Sequence, residues 1–220
     1  MELRIIYEDK FIIVLHKPAG IATQTKKVGE QDLFSMVKNH LSGGYVGLIN
    51  RLDQPVEGIV LMAKSSGMVA KLNKQLTDGA IEKYYRATSY ISNHNSGVMT
   101  DSYVRLTNYM YVDKHTNLSK LCDKSYSIAK EALLDYKMTD IRMERDYSIA
   151  DLDIRLITGR HHQIRLQLSG AGMPILGDLK YGSEESMAYS ASHGIHRVQL
   201  CAYKLKFSHP ATDMDMLFTI

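Results

Sequence analysis

Residues 50–64, Asn-Arg-Leu-Asp-Gln-Pro-Val-Glu-Gly-Ile-Val-Leu-Met-Ala-Lys, constrain the chain more than any other stretch. Proline fixes its own φ and disfavours helical backbone at the residue before it, so Pro55 forces Gln54 into a turn or extended conformation. Gly58 permits backbone angles closed to other residues. The apolar run from Ile59 to Ala63 then has the length and composition of a buried strand. Asp53 therefore stands at the mouth of a turn that feeds a strand. The backbone holds its carboxylate rigidly there, and a ligand can still reach it. Two readings are open: a catalytic group, or a carboxylate that only pairs with Arg51 or caps the turn. This stretch alone favours the second.

Elements on either side follow from periodicity. Residues 5–15 read as two strands separated by Glu8-Asp9-Lys10, and His16-Lys17-Pro18-Ala19-Gly20 breaks the second. Leu33, Met36, Val37, His40 and Leu41 form one face of a short helix that ends at Gly43-Gly44. Residues 45–49 suit a short strand. Ser65 or Ser66 caps a second helix bearing Val69, Leu72 and Leu76, with Lys71 and Lys74 on its polar side and a stop near Gly79. Ile81 to Tyr90 reads as a strand. Residues 91–130 are polar, with turn chemistry at Asn93-His94-Asn95 and at Asp113 to Asn117 and one hairpin between them. Ala132 to Met138 and Asp151 to Ile157 read as strands, the latter alternating cleanly. A helix is expected over His161 to Leu168, then a strand over Arg197 to Phe207 that pairs with Met216 to Ile220 across His209-Pro210. The sum is an α+β fold, a large mixed, mainly antiparallel β-sheet with flanking helices, in a single domain over residues 1–220.

Composition excludes classes rather than choosing one. The net charge of +3 permits a polyanionic partner without establishing it. Cys122 and Cys201 give neither a disulfide framework nor a zinc-ligand spacing, so a reducing compartment is the default. No apolar stretch is long enough to span a membrane, and Met1-Glu2-Leu3-Arg4-Ile5 lacks the regions of a signal peptide. A cytoplasmic protein is expected. P-loop, dinucleotide and nucleophile-elbow motifs are absent.

Two clusters carry possible chemistry. Thr158-Gly159-Arg160-His161-His162-Gln163-Ile164-Arg165 places cations around a helix start, which suits phosphate, or one arginine pairing a buried carboxylate. His161 and His162 are adjacent, face different ways and make a poor metal pair, so a solvated helix end is expected for them. His193 and His196 are a weak metal hint, and no metal is expected. Lys83-Tyr84-Tyr85-Arg86 puts rings beside cations on one strand, with Tyr85 on the face opposite Tyr84 and Arg86. Such rings stack nucleobases, though more often they are core. Glu57 is the local candidate for a second carboxylate beside Asp53.

Taken together, the segments resemble the RluA-type pseudouridine synthases. Tyr7-Glu8-Asp9 through Lys17-Pro18-Ala19-Gly20 is similar to the opening strand pair and its turn, and Arg51-Leu52-Asp53 with Gly58 and Ala63-Lys64 to the catalytic segment. Lys83 to Ala87 matches the strand of the active-site tyrosine, at Tyr85. Thr158 to Arg165, Gly172 to Asp178 and Tyr181-Gly182 match the most recognisable signature. Arg197 to Leu200 and Phe207-x-His209-Pro210 match the C-terminal segment. Asn50 stands where His is usual, Val56-Glu57 where Thr-Ser is usual, and Cys201 in place of His. The chain is expected to start at the catalytic domain, without an S4-like domain before it.

The resemblance implies an isomerase that converts uridine to pseudouridine in ribosomal or transfer RNA, acting as a monomer without cofactor, nucleotide or membrane. It implies that Asp53 starts the reaction, Arg165 pairs with Asp53 and Tyr85 stacks on the flipped uracil. Leu200 packs under the base, and Arg51, Arg160, Lys17 and Lys64 hold phosphates or the catalytic loop. The alternatives are an RNA-binding protein on the same scaffold without activity, and an Asp-dependent hydrolase that releases free uracil.

Overall fold

A computed structural model describes residues 2–25, 29–92 and 102–220, which include eleven strands and four helices. They form two compact units, Met1–Lys83 with Cys201–Ile220, and Tyr84–Leu200. The architecture is α+β and mainly antiparallel.

The first unit contains β1 (Arg4–Glu8), β2 (Ile12–Lys17), β3 (Gly47–Leu48), β4 (Glu57–Ala63), β11 (Asp215–Thr219) and, from Cys201 on, β10 (Leu200–Ser208). The strand order is β1-β2-β4-β10, with β3 on β4 and β11 on β10. β2 runs antiparallel to β1 and β4, whereas β4 and β10 are parallel. Four successive residues of β2, Ile12 to Leu15, are fully buried. Both faces of that strand are therefore covered, which is why its sequence is apolar throughout instead of alternating. The core unites Ile12, Val14, Ile59, Leu61, Leu205 and Phe207 with Leu72 of the second helix.

Helix α1 (Leu33–His40) starts where Asp32 accepts the Ser35 N–H, and α2 (Ser66–Thr77) where Ser65 accepts the Met68 N–H. Leu33, Met36 and Val37 are buried as their spacing implies. His40 and Leu41 do not join them. His40 is exposed and bonded to Glu8, and Leu41 is the C-cap. Residues 200 positions apart close the unit: His209 Nε2 meets Asp9 Oδ2 at 2.8 Å, while Asp9 Oδ1 accepts the N–H groups of Phe11 and Ile12. His209 Nδ1 accepts the Ala211 and Thr212 N–H groups. The His-Pro pair is thus a structural clasp.

Lys17, the last residue of β2, has no exposed surface. Its Nζ donates to three carbonyls, Ile21 at 2.7 Å, Pro18 at 3.0 Å and Gln54 at 3.2 Å. The first two belong to the turn after β2 and the third to the loop before β4. Burial pulls the Lys17 ammonium down to about 8, partly opposed by the charges of Asp53 and Glu57. At Gly58 φ is +135°, and a Cβ there would fall 2.5 Å from the Ala202 carbonyl oxygen of the parallel neighbour β10. Only glycine satisfies both constraints.

β5 (Glu82–Ser92) leads into the second unit, which contains β6 (Val104–Asp113), β7 (Leu118–Cys122), β8 (Lys130–Met143) and β9 (Tyr147–Leu156) in the order β5-β9-β8-β6-β7. β6 and β7 form a hairpin about Asp113 to Asn117, where Asn117 takes a positive φ. The expected turn at Asn93-His94-Asn95 lies outside the described residues. β8 and β9 are longer than their patterns suggest, because their ends pair without alternating burial. Helix α3 (Gln163–Gly170) starts two residues after His161. Helix α4 (Glu184–Ser192) escapes detection by periodicity, since the residues it buries are Ser186 and Ser190. Its N-cap, Ser183, is the one local sign of it.

Two outcomes follow for the first unit. Gly58→Ala should lose roughly 2–4 kcal/mol, because it adds backbone strain to a steric clash; urea unfolding of the variant measures this. Lys17→Met should also destabilise, by leaving carbonyls without their donor. The folded pKa of Lys17 lies below its ordinary 10.5, so the unfolded chain binds more protons between about 8 and 10.5 and the wild type gains stability as pH rises through that window. The stability gap between wild type and Lys17→Met should therefore widen from pH 8 to pH 10.5.

Candidate active site

Asp53 is half-buried in the loop between β3 and β4, and bonds on both sides fix that loop. The Asn50 side chain imitates a strand, donating from Nδ2 to the Ile59 carbonyl at 3.0 Å and accepting the Leu61 N–H at 2.8 Å. Position 50 thus uses an amide's donor and acceptor together. The Thr23 hydroxyl donates to the Leu52 carbonyl at 2.8 Å and accepts the Leu52 N–H at 3.1 Å. The Val56 N–H returns to the Asp53 carbonyl at 3.0 Å and closes the Pro55 turn. Gly20 and Gln54 exchange two bonds, Gly20 N–H to Gln54 O at 2.8 Å and Gln54 Nε2 to Gly20 O at 3.0 Å. With Lys17 beneath Gln54, the loop carrying Asp53 is fastened at residues 50, 52, 54 and 56.

The neighbouring cations divide. Lys17 is enclosed by carbonyls and holds the loop. Lys64 is committed likewise, ion-paired to Glu8 and donating to the Asp9 carbonyl in the β1–β2 turn. Arg51 is exposed beside Asp53 in sequence. Glu57, the first residue of β4, is half-buried, and its charge acts on Lys17 and His16.

Tyr85, Arg160, Arg165 and Leu200 belong to the second unit. Tyr85 lies on the buried side of β5 with Lys83 and Ala87, opposite Tyr84 and Arg86, as alternation implies. Burial lowers the pKa of Lys83. Leu200 is buried at the start of β10. Arg160 is exposed; its Nε donates to the Glu131 carbonyl and its backbone N–H to Gln163 Oε1.

Arg165 is 3% exposed and forms a two-pronged pair with Asp178, Nε to Oδ2 at 2.6 Å and Nη2 to Oδ1 at 2.7 Å. Burial works against the ionised carboxyl of Asp178, but Arg165 and the Lys180 and Tyr181 N–H groups outweigh it and keep its pKa low. Nothing in the spacing of the sequence marks Asp178 as the partner of this arginine; the Gly177-Asp178 segment is visible only as part of the family pattern.

The histidines depart from expectation. His162 takes left-handed backbone, φ +54°, and is buried. That twist stacks its ring on His161 at a centroid distance of 3.6 Å, so the two face the same way despite being adjacent. His162 Nδ1 lies 2.8 Å from the Tyr181 hydroxyl, and His161 Nδ1 lies 3.1 Å from Ser119 Oγ on β7. This is packed structure, not a solvated helix end. Among the described residues no three His, Cys, Asp or Glu side chains are arranged to hold a metal ion, and no helix is long and apolar enough to cross a membrane.

Comparison with known proteins gives a consistent family. Residues 11–170 match the family described as RNA pseudouridylate synthase. The chain is 29% identical over 215 residues to the ribosomal large subunit pseudouridine synthase C of Vibrio vulnificus, covering 96% of this chain and 63% of that protein. It is 28% identical over 228 residues to the tRNA pseudouridine synthase C of Pasteurella multocida, covering 98% of this chain and 90% of that one. The chain thus spans just under two thirds of the length of the ribosomal relative. Human RNA pseudouridylate synthase domain containing 1 shares the fold, with a TM-score of 0.75 at 17% identity over all of this chain and 83% of that one. The match over residues 11–170 covers most of the chain and all but one of the segments holding Asp53, Tyr85, Arg165 and Leu200, and on it the chain belongs to the RNA pseudouridylate synthase family.

Proposed function

We propose that this chain isomerises uridine to pseudouridine in ribosomal or transfer RNA, with Asp53 as the residue that starts the reaction. The observation that carries the proposal is the fastening of the Asp53 loop at Asn50, Leu52, Gln54 and Val56, from Thr23, Lys17 and the backbone. A carboxylate facing polyanionic RNA is unfavourable for binding alone, so a loop built to fix one in place serves chemistry. Family membership and the names of the ribosomal and transfer RNA relatives point the same way.

The reaction breaks the bond between the ribose carbon 1′ and uracil nitrogen 1, and forms one between carbon 1′ and carbon 5. Carbon 5 gives up its proton and nitrogen 1 gains one, so no electrons are transferred and no redox partner is required. The target base leaves its stack at a cost of a few kcal/mol, which favours loops and deformable stems. By resemblance, Arg165 holds Asp53 ionised, Tyr85 stacks on the uracil and Leu200 packs under it. Two of the five N–H donors of the Arg165 guanidinium go to Asp178, which sets the plane of the group. Arg51 and Arg160, both exposed, are the phosphate contacts of this proposal. Lys17 and Lys64 act indirectly, through the loop and the β1–β2 turn. The chain acts as a monomer, in the cytoplasm, on this reading.

Asp53→Asn should lower pseudouridine formation roughly a thousandfold or more, about 4 kcal/mol of barrier, while RNA affinity stays within a few-fold. Tritium release from carbon-5-labelled cellular RNA, under single-turnover conditions, measures the rate. Residual turnover near that of wild type would exclude Asp53 as the catalytic residue. Free uracil among the products would identify a hydrolase instead.

A further inference from the structure

Tyr181 sits at the centre of a network that the proposed reaction does not itself explain. Its hydroxyl accepts the backbone N–H of Ser119 on β7 at 2.8 Å and lies 2.8 Å from His162 Nδ1. An oxygen that accepts from Ser119 still has its own proton to give. Its ring faces the Arg165 guanidinium, with Cζ 5.2 Å from the ring centroid, within the range of a cation–π contact. Its backbone N–H donates to Asp178 Oδ1 at 3.2 Å, on the carboxylate that grips Arg165. The ring is half-buried, and burial raises the pKa of its hydroxyl.

The geometry around it is specific. His162 sits in left-handed backbone, φ +54°, without being glycine, and its surroundings hold it there. Those surroundings are the Tyr181 hydroxyl on one side and the His161 ring on the other, with His161 bonded in turn to Ser119 Oγ through both Nδ1 and its carbonyl. One β7 residue, Ser119, therefore touches both ends of the chain of contacts that fixes the start of α3, and Arg165 lies in the first turn of that helix.

We propose that Tyr181 is a positioning residue for Arg165: its hydroxyl is pinned by Ser119 and His162 so that its ring holds the guanidinium against Asp178. The placement of the β6–β7 hairpin is thereby tied to the orientation of Arg165. RNA that displaces the hairpin would alter the rate of the chemical step and not only affinity. The proposal rests on the role given to Arg165 in catalysis, but its structural part stands apart from that role.

The test uses Tyr181→Phe, which keeps the ring and removes its pin, and Tyr181→Leu, which removes both. Three quantities are read in the full chain: the single-turnover rate of pseudouridine formation, the RNA dissociation constant, and the Arg165 Nε–H signal in a proton–nitrogen spectrum, assigned by its absence in Arg165→Lys. The expected result for Tyr181→Phe is a five- to tenfold fall in rate, an RNA dissociation constant within twofold, and a shifted, faster-exchanging Nε–H signal. Tyr181→Leu should extend each change. If Tyr181→Leu fails to fold, Tyr181→Phe alone decides. An unmoved signal with an unchanged rate overturns the proposal, as does a rate loss matched by weaker RNA binding with the signal unmoved. A shifted signal in a protein whose wild type makes no pseudouridine would uphold the positioning and sink the catalytic reading.

Discussion

A single buried ammonium joins the parts of the first unit that matter. Lys17 ends the most deeply buried strand and donates to carbonyls of two different turns, its own at Pro18 and Ile21 and the Asp53 loop at Gln54. Burying such a charge is unfavourable, as its lowered pKa records, and the three carbonyls offset that cost. Without it, the loop carrying Asp53 would rest on Asn50, Thr23, the Val56–Asp53 bond and the Gly20–Gln54 exchange. Gly58 completes the arrangement, because β4 can turn away from the loop and still lie against β10 only where no Cβ intervenes.

Much of this was legible in the chain. Pro55, Gly58 and the apolar run after them place Asp53 at a turn before a buried strand, and β4 begins at Glu57 as that pattern requires. Asp32 and Ser65 cap the helices that the 3.6-residue period implies, and His209-Pro210 does separate two paired strands. What pattern could not reveal were bonds between residues far apart in sequence. Thr23 reaches Leu52 across 29 positions and Lys17 reaches Gln54 across 37. Periodicity reports which face of an element is buried and carries nothing about a polar group that turns inward to meet a carbonyl. For the same reason Lys17 reads as a surface cation until its partners are known.

The second unit shows a different gap. Its helix α3 starts at a residue in left-handed backbone, a conformation uncommon outside glycine that hydrophobic periodicity does not mark. The adjacent histidines therefore stack instead of diverging, and the signature around them serves packing as well as charge. Asp178 belongs to the same category. It stands in a segment of the family pattern, yet its pairing with Arg165 is a tertiary fact, made by the turn that also supplies Tyr181. Helix α4 was hidden because serines, not leucines, occupy its inner face.

Both units thus prepare a charged side chain by fixing the backbone or the partner beneath it, Asp53 through its loop and Arg165 through Asp178. The claim that the Asp53 loop is locked before any substrate arrives can be measured directly by amide hydrogen exchange in the free protein. The amides of Gly20, Leu52 and Val56 lie outside strands and helices, yet each donates within the lock. They should exchange as slowly as the amides of β2 and β4, through global unfolding. Exchange at the rate of an ordinary surface loop would mean that the lock does not hold and that Asp53 is not prepositioned.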